Sequence, residues 1–93
     1  MGLEQYFSGE GDWEDFVNIF VDKYKNEDAY QLAKYLNDKL DIAIVIHAQI
    51  GELQTCVKWI TCKIPVLENL RPIDCLKNDL LTKRLKTALM RMP

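Results

Sequence analysis

The run Asp41-Ile42-Ala43-Ile44-Val45-Ile46-His47-Ala48-Gln49-Ile50 constrains the fold more than any other stretch. Its β-branched content and partial alternation suit a strand. No second stretch reads as a strand to pair with it, and an unpaired strand leaves its backbone N–H and C=O groups unsatisfied. Apolar residues around the whole circumference also suit a helix buried on every side. Gly51 follows, the residue type favoured just past a helix end. The chain is therefore read as all-α, a single compact domain of five or six short helices with a central helix over about 38–50. Ninety-three residues suffice for one such core.

Residues 1–11 show little periodicity and read as a flexible lead-in to a helical domain over 12–93. Asp12 reads as an N-cap, with Asp15 three residues on in the manner of a capping box. Trp13, Phe16, Val17, Phe20, Val21 and Tyr24 then mark one stripe of a helix over about 13–25. Asn26 caps a second helix with Ala29, Leu32, Ala33, Leu36 and Leu40 as its stripe, so 12–41 reads as an antiparallel helical hairpin. The aromatic stripe holds more large residues than a thin helical layer needs, leaving part of it for a homodimer surface.

Beyond Gly51 an apolar-faced helix over about 52–63 carries Cys56, Val57, Trp59 and Ile60, and Pro65 stops it. Leu67 and Leu70 lie inside the following loop and should pin it against the core, with Trp59 packed beside them. Asn69 is a candidate for the left-handed region, which Asn tolerates. Pro72 suits the first position of a short helix near 72–76, with Ile73 and Leu76 as its buried face. Asp74 is placed to support that helix, to bind a loop N–H or to contact a partner. A last helix over about 79–91 has Leu81, Leu85, Ala88, Leu89 and Met92 on one face and Lys83, Arg84, Lys86 and Arg91 largely on the others. Met90, Met92 and Pro93 are expected to lie beyond its last firm anchor.

This second half resembles the toxin-binding domain of the Xre/MbcA/ParS antitoxin family. That family's core reads roughly Trp-Leu, a short loop with Leu and Gly, then Pro-(apolar)-Asp-(apolar)-Leu. Trp59-Ile60 stand at the first pair, Leu67 at the loop leucine, and Pro72-Ile73-Asp74-Cys75-Leu76 match the second half without a gap. The resemblance extends upstream through Ile50-Gly51 and downstream through Leu81, Leu85 and Ala88, covering roughly 42–93. Asn69 replaces the loop glycine, and the glycine near the end of the family's last helix falls close to Arg91. Residues 1–41 are short for the helix-turn-helix-like region that usually precedes the domain. The resemblance implies a protein that binds and silences a cognate toxin of RES type, which depletes NAD. It implies a role for the C-terminal end, giving Lys83, Arg84, Lys86, Met90, Arg91, Met92 and Pro93 as candidate toxin-binding residues. Trp59, Leu67, Asn69, Pro72, Asp74 and Leu76 are its scaffold. No cofactor is expected, and the chain itself would bind no NAD.

Charge is unevenly spread. Residues 1–28 hold eight acids against Lys23 and Lys25, a balance of −6; residues 29–93 hold ten bases against six acids, a balance of +4. Such asymmetry bears on partners and steering. For the basic last helix three readings stay open: a solvated face, a contact with a protein partner, or a contact with nucleic acid through clustered Lys and Arg. The overall charge of −2 makes nucleic acid an unfavoured partner for this chain alone. Beside the antitoxin reading stand a DNA-binding regulator and an orphan helical dimerisation module. Nothing pairs a base with a nucleophile, so an enzyme is not expected. No apolar run approaches a membrane span, and the acidic start is unlike a signal peptide. Cys56, Cys62 and Cys75 contain no CxxC and are read as buried structural thiols in a reducing cytoplasm. His47, flanked by Ile46 and Ala48, reads as a satisfied core or surface side chain rather than a metal ligand.

Overall fold

Ile42, Ala43, Ile44, Val45 and Ile46 are all buried in a helix, α3, Leu40–Ile50. The protein is described from a computed structural model that defines residues 3–92. Around α3 pack α1 (Glu10–Tyr24), α2 (Glu27–Lys34), α4 (Leu53–Ile60) and α5 (Asp79–Arg91), so its apolar residues meet neighbours on every side. That encirclement is why a β-branched run is helical here: side-chain burial outweighs its modest propensity penalty. No strand forms among the described residues; one isolated bridge joins Ile64 and Leu70. The all-α reading holds, with five α-helices and three 3₁₀ turns among the described residues, within 35 × 27 × 24 Å.

Gly51 ends α3 at φ +110, donating its N–H to the His47 carbonyl at 3.0 Å. A side chain there would meet no atom within 4 Å, so the backbone angle alone demands glycine. His47 Nδ1 lies 2.6 Å from the Gly51 carbonyl, which assigns the proton to Nδ1 and leaves Nε2 to accept from Asn26 Nδ2 at 3.3 Å. Asn26 Oδ1 meanwhile accepts from the Ala29 N–H, capping α2 as expected.

α1 starts earlier than the periodicity suggested. Gly9, at φ +109, turns the chain into it, and Glu10 and Asp12 occupy the first turn, where acids suit the helix dipole. Asp12 is therefore not the cap. Trp13 and Val17 are buried, and Trp13, Phe16, Phe20, Tyr24 and His47 form a continuous series of tilted and edge-on ring contacts. The large apolar residue this helix leaves outside is Ile19, 72% exposed. α1 and α2 do not pair mainly with each other as a hairpin; each packs on α3. α2 stops at Lys34, where Asn37 and Asp38 both take positive φ, and Leu40 belongs to α3 instead.

α4 ends at Ile60, five residues before Pro65, as the Thr61 hydroxyl donates to the Val57 and Lys58 carbonyls. Pro65–Leu67 and Pro72–Lys77 are 3₁₀ turns, each opened by its proline. Pro72 and Cys75 are the buried residues of the second turn, with Ile73 and Leu76 half-buried against the core. No single helix among the described residues is long and apolar enough to cross a membrane.

Cys56 and Cys75 are buried, whereas Cys62 is exposed, so the expectation of three buried thiols fails at Cys62. Burial pushes Cys56 and Cys75 each up to about 11, since a thiolate loses hydration there. A native-state alkylation experiment read by mass spectrometry is expected to modify Cys62 alone. The other two should react only after denaturant is added; prompt modification of all three would contradict this packing.

Candidate partner-binding face

α5 is capped by Asn78, whose side-chain oxygen accepts from the Leu81 N–H at 2.9 Å. Leu85, Ala88 and Leu89 turn to the core, but Lys86 and Thr87 between them are buried as well. Five consecutive buried residues mean that the middle of α5 is covered on its outer side too. The cover is the N-terminal segment: Leu3–Tyr6 forms a 3₁₀ turn lying on α5, and the chain then passes through Phe7–Gly9 into α1. The part of the lead-in over residues 3–6 is thus packed structure, while Met1 and Gly2 lie outside the described residues.

Ionic contacts hold this strap. The Arg84 guanidinium meets Glu4 through Nε at 2.9 Å and Nη2 at 3.1 Å, and reaches Glu68 through Nη1 at 2.8 Å. The Arg84 and Glu4 side chains are only 14% and 10% exposed. Lys86 Nζ sits 3.1 Å from Glu10, with the Phe7 and Trp13 rings 5.9 and 5.4 Å away. A cation there gains from the faces of both rings as well as from the carboxylate. The Arg91 guanidinium lies 4.6 Å from the Tyr6 ring.

The four cations expected on exposed faces therefore divide. Lys83 and Arg91 are exposed; Arg84 and Lys86 are clasped and largely shielded. Met90 and Met92 are half-buried against the core rather than projecting, and Pro93 lies outside the described residues. Of the scaffold residues, Leu67 and Pro72 are buried, Leu76 is half-buried, and Asn69 stands at φ 64, in the left-handed region. Trp59 is half-buried, so it is not the core tryptophan expected; Trp13 is, at 1% exposure. Asp74 is held by Arg71 through two hydrogen bonds, at 2.7 and 3.0 Å, and by Lys77 at 3.7 Å. The Arg71 hydrogen bond lowers its carboxyl below the ordinary aspartate value. Glu4, Glu10 and Glu68 were not singled out as site residues. The excess of acid in residues 1–28 and of base near the C-terminus was the available signal for the first two.

The Arg84 hydrogen bonds hold the Glu4 carboxyl below its usual range. The clasp thus contributes stability above the ordinary glutamate pKa, about 4.3, and loses it as pH falls through the lowered value. Acidification is expected to free the strap before the core unfolds. NMR would show the Tyr6 ring and Arg84 Nε–H signals moving before those of α3; simultaneous loss would contradict it.

Among the described residues no group of three or more His, Cys, Asp or Glu side chains is placed to hold a metal, and no buried side-chain polar atom lacks a partner. The fold and this face define a small all-α domain with a basic last helix under an acidic strap. No family model, curated protein or solved structure matches the chain.

Proposed function

We propose that the chain is an antitoxin-like protein-binding module that neutralises a RES-type, NAD-depleting toxin by direct contact through α5 and its C-terminal end, acting in the cytoplasm. The observation that carries the reading is the connector. Asn69 takes φ 64 where the family resemblance places glycine, between the buried Leu67 and the buried Pro72 that opens the next turn. The substitution that departs from the family pattern thus sits at a backbone angle asparagine can adopt. Exposed Lys83 on α5 supplies a contact that costs the fold nothing to present, and Arg91 is exposed with its guanidinium against the Tyr6 ring. A nucleic-acid partner is less well served, because Arg84 and Lys86 are already neutralised by carboxylates.

Titration calorimetry with a purified RES-domain toxin from the same organism tests this. The wild-type chain is expected to bind, and the Lys83→Glu/Arg91→Glu variant to bind at least about 10-fold more weakly, the factor that corresponds to 1.4 kcal/mol. Unchanged affinity in the variant would remove α5 as the contact.

A further inference from the structure

The strap over α5 has the construction of a ligand rather than of a core element. None of Leu3–Tyr6 is buried, although the α5 residues beneath are. Open grooves flank it on both sides: one of about 720 Å³, lined by Glu4, Leu80, Leu81 and Arg84 among others, and one of about 270 Å³ beside Tyr6, Met90 and Arg91. Leu80, 64% exposed, stands at the larger groove. The strap joins α1 through Phe7–Gly9, which has no regular structure and ends on Gly9 at φ +109. It is held by Glu4 on Arg84, by Tyr6 on Arg91 and Phe7 by Lys86, and by Leu3 and Phe7 against the core, while Glu10 at the start of α1 pairs with Lys86.

We propose that residues 3–10 occupy in cis a binding face on α5 built for an acidic segment of a partner protein, and that the partner segment displaces them. The chemistry of the displacing segment follows from what displacement would leave behind. Displacing residues 3–10 would leave Lys86 without Glu10 and Arg84 with Glu68 alone, and a shielded cation that loses a carboxylate is costly. An incoming segment must therefore bring carboxylates of its own, spaced to reach both. It must also bring an aromatic or leucine side chain to cover the surface under Tyr6 and Phe7. Exchange is feasible only because each ion pair that is lost is replaced by an equivalent one from the incoming segment, leaving neither cation uncompensated. The inference goes beyond the antitoxin reading and stands without it, since it requires only an acidic protein segment.

The test uses the full chain and a fluorescent peptide copying Leu3–Glu10. Glu4→Gln/Glu10→Gln loosens the strap in cis, and this variant is expected to bind the peptide at least about 10-fold more tightly than wild type, because self-occupancy lowers the competent fraction. Adding Arg84→Gln should abolish that gain. Should the loosened variant fail to fold by circular dichroism, NMR on the wild-type chain decides. Excess peptide must then shift the Leu81–Arg91 amides together with those of Leu3–Phe7. No gain in affinity, a gain indifferent to Arg84, or no shift on α5 overturns the proposal. A wild-type dimer that exchanges straps would assign the face to a second copy and overturn it too.

Discussion

Replacing Trp13 with alanine is expected to cost about 3–5 kcal/mol, the range for a large aromatic removed from a core. Small domains hold only roughly 5–15 kcal/mol in total, so the variant should be close to unfolding at room temperature. Trp13 ties three elements: it stands in α1, its Nε1–H donates to Asp41 at the start of α3 at 2.8 Å, and its ring lies beside Lys86 of α5. Trp13→Phe keeps most of the apolar area and leaves Asp41 without its donor, so a smaller loss of about 1–3 kcal/mol follows. Trp59→Ala, removing a half-buried ring, is expected to cost about 1–2 kcal/mol. Urea denaturation of the three variants checks the order. A larger loss at Trp59 than at Trp13 would reverse the assignment of the core.

The second large effect is expected at Leu67. It is the buried side chain of a connector that is also held by backbone hydrogen bonds, Ile64 N–H to Leu70 O at 3.0 Å, Asn69 N–H to Ile64 O at 3.0 Å and Glu68 N–H to Pro65 O at 2.9 Å, and by the Glu68–Arg84 ion pair. Two consecutive residues, Glu68 and Asn69, sit at positive φ, a conformation unfavourable for L-residues and held only while the surrounding packing determines it. Leu67→Ala is expected to cost about 2–5 kcal/mol and to raise amide hydrogen exchange across 64–70. A loss under ~1 kcal/mol, below the usual range for a buried leucine, would mean that the connector is not pinned by its leucine.

Much of this architecture was legible because it is local. The stripe from Trp13 to Tyr24, the Asn26 cap, Gly51 at the end of α3, Asn69 in the left-handed region and Pro72 opening a turn each depend on a few neighbouring residues. The Ile42–Ile50 helix was legible by elimination, since no strand partner existed. The strap was not legible. A four-residue 3₁₀ turn has no periodicity, and Glu4 meets Arg84 eighty positions away. Trp59 was expected in the core for the same reason: both tryptophans lie on apolar stripes, and the contacts that bury Trp13, Asp41 of α3 and Lys86 of α5, are 28 and more residues away. Clasping of Arg84 and Lys86 likewise turned an expected exposed basic face into one that is partly self-occupied.

Silencing of an NAD-depleting toxin by direct binding is what we propose for this chain. Its most direct test is intracellular NAD measured in cells expressing a RES-domain toxin from the same organism, with and without this chain. NAD maintained at the uninduced level, with the two proteins co-purifying as a complex, is the predicted result. NAD falling as fast with the chain as without it, while the chain accumulates folded, would contradict the account.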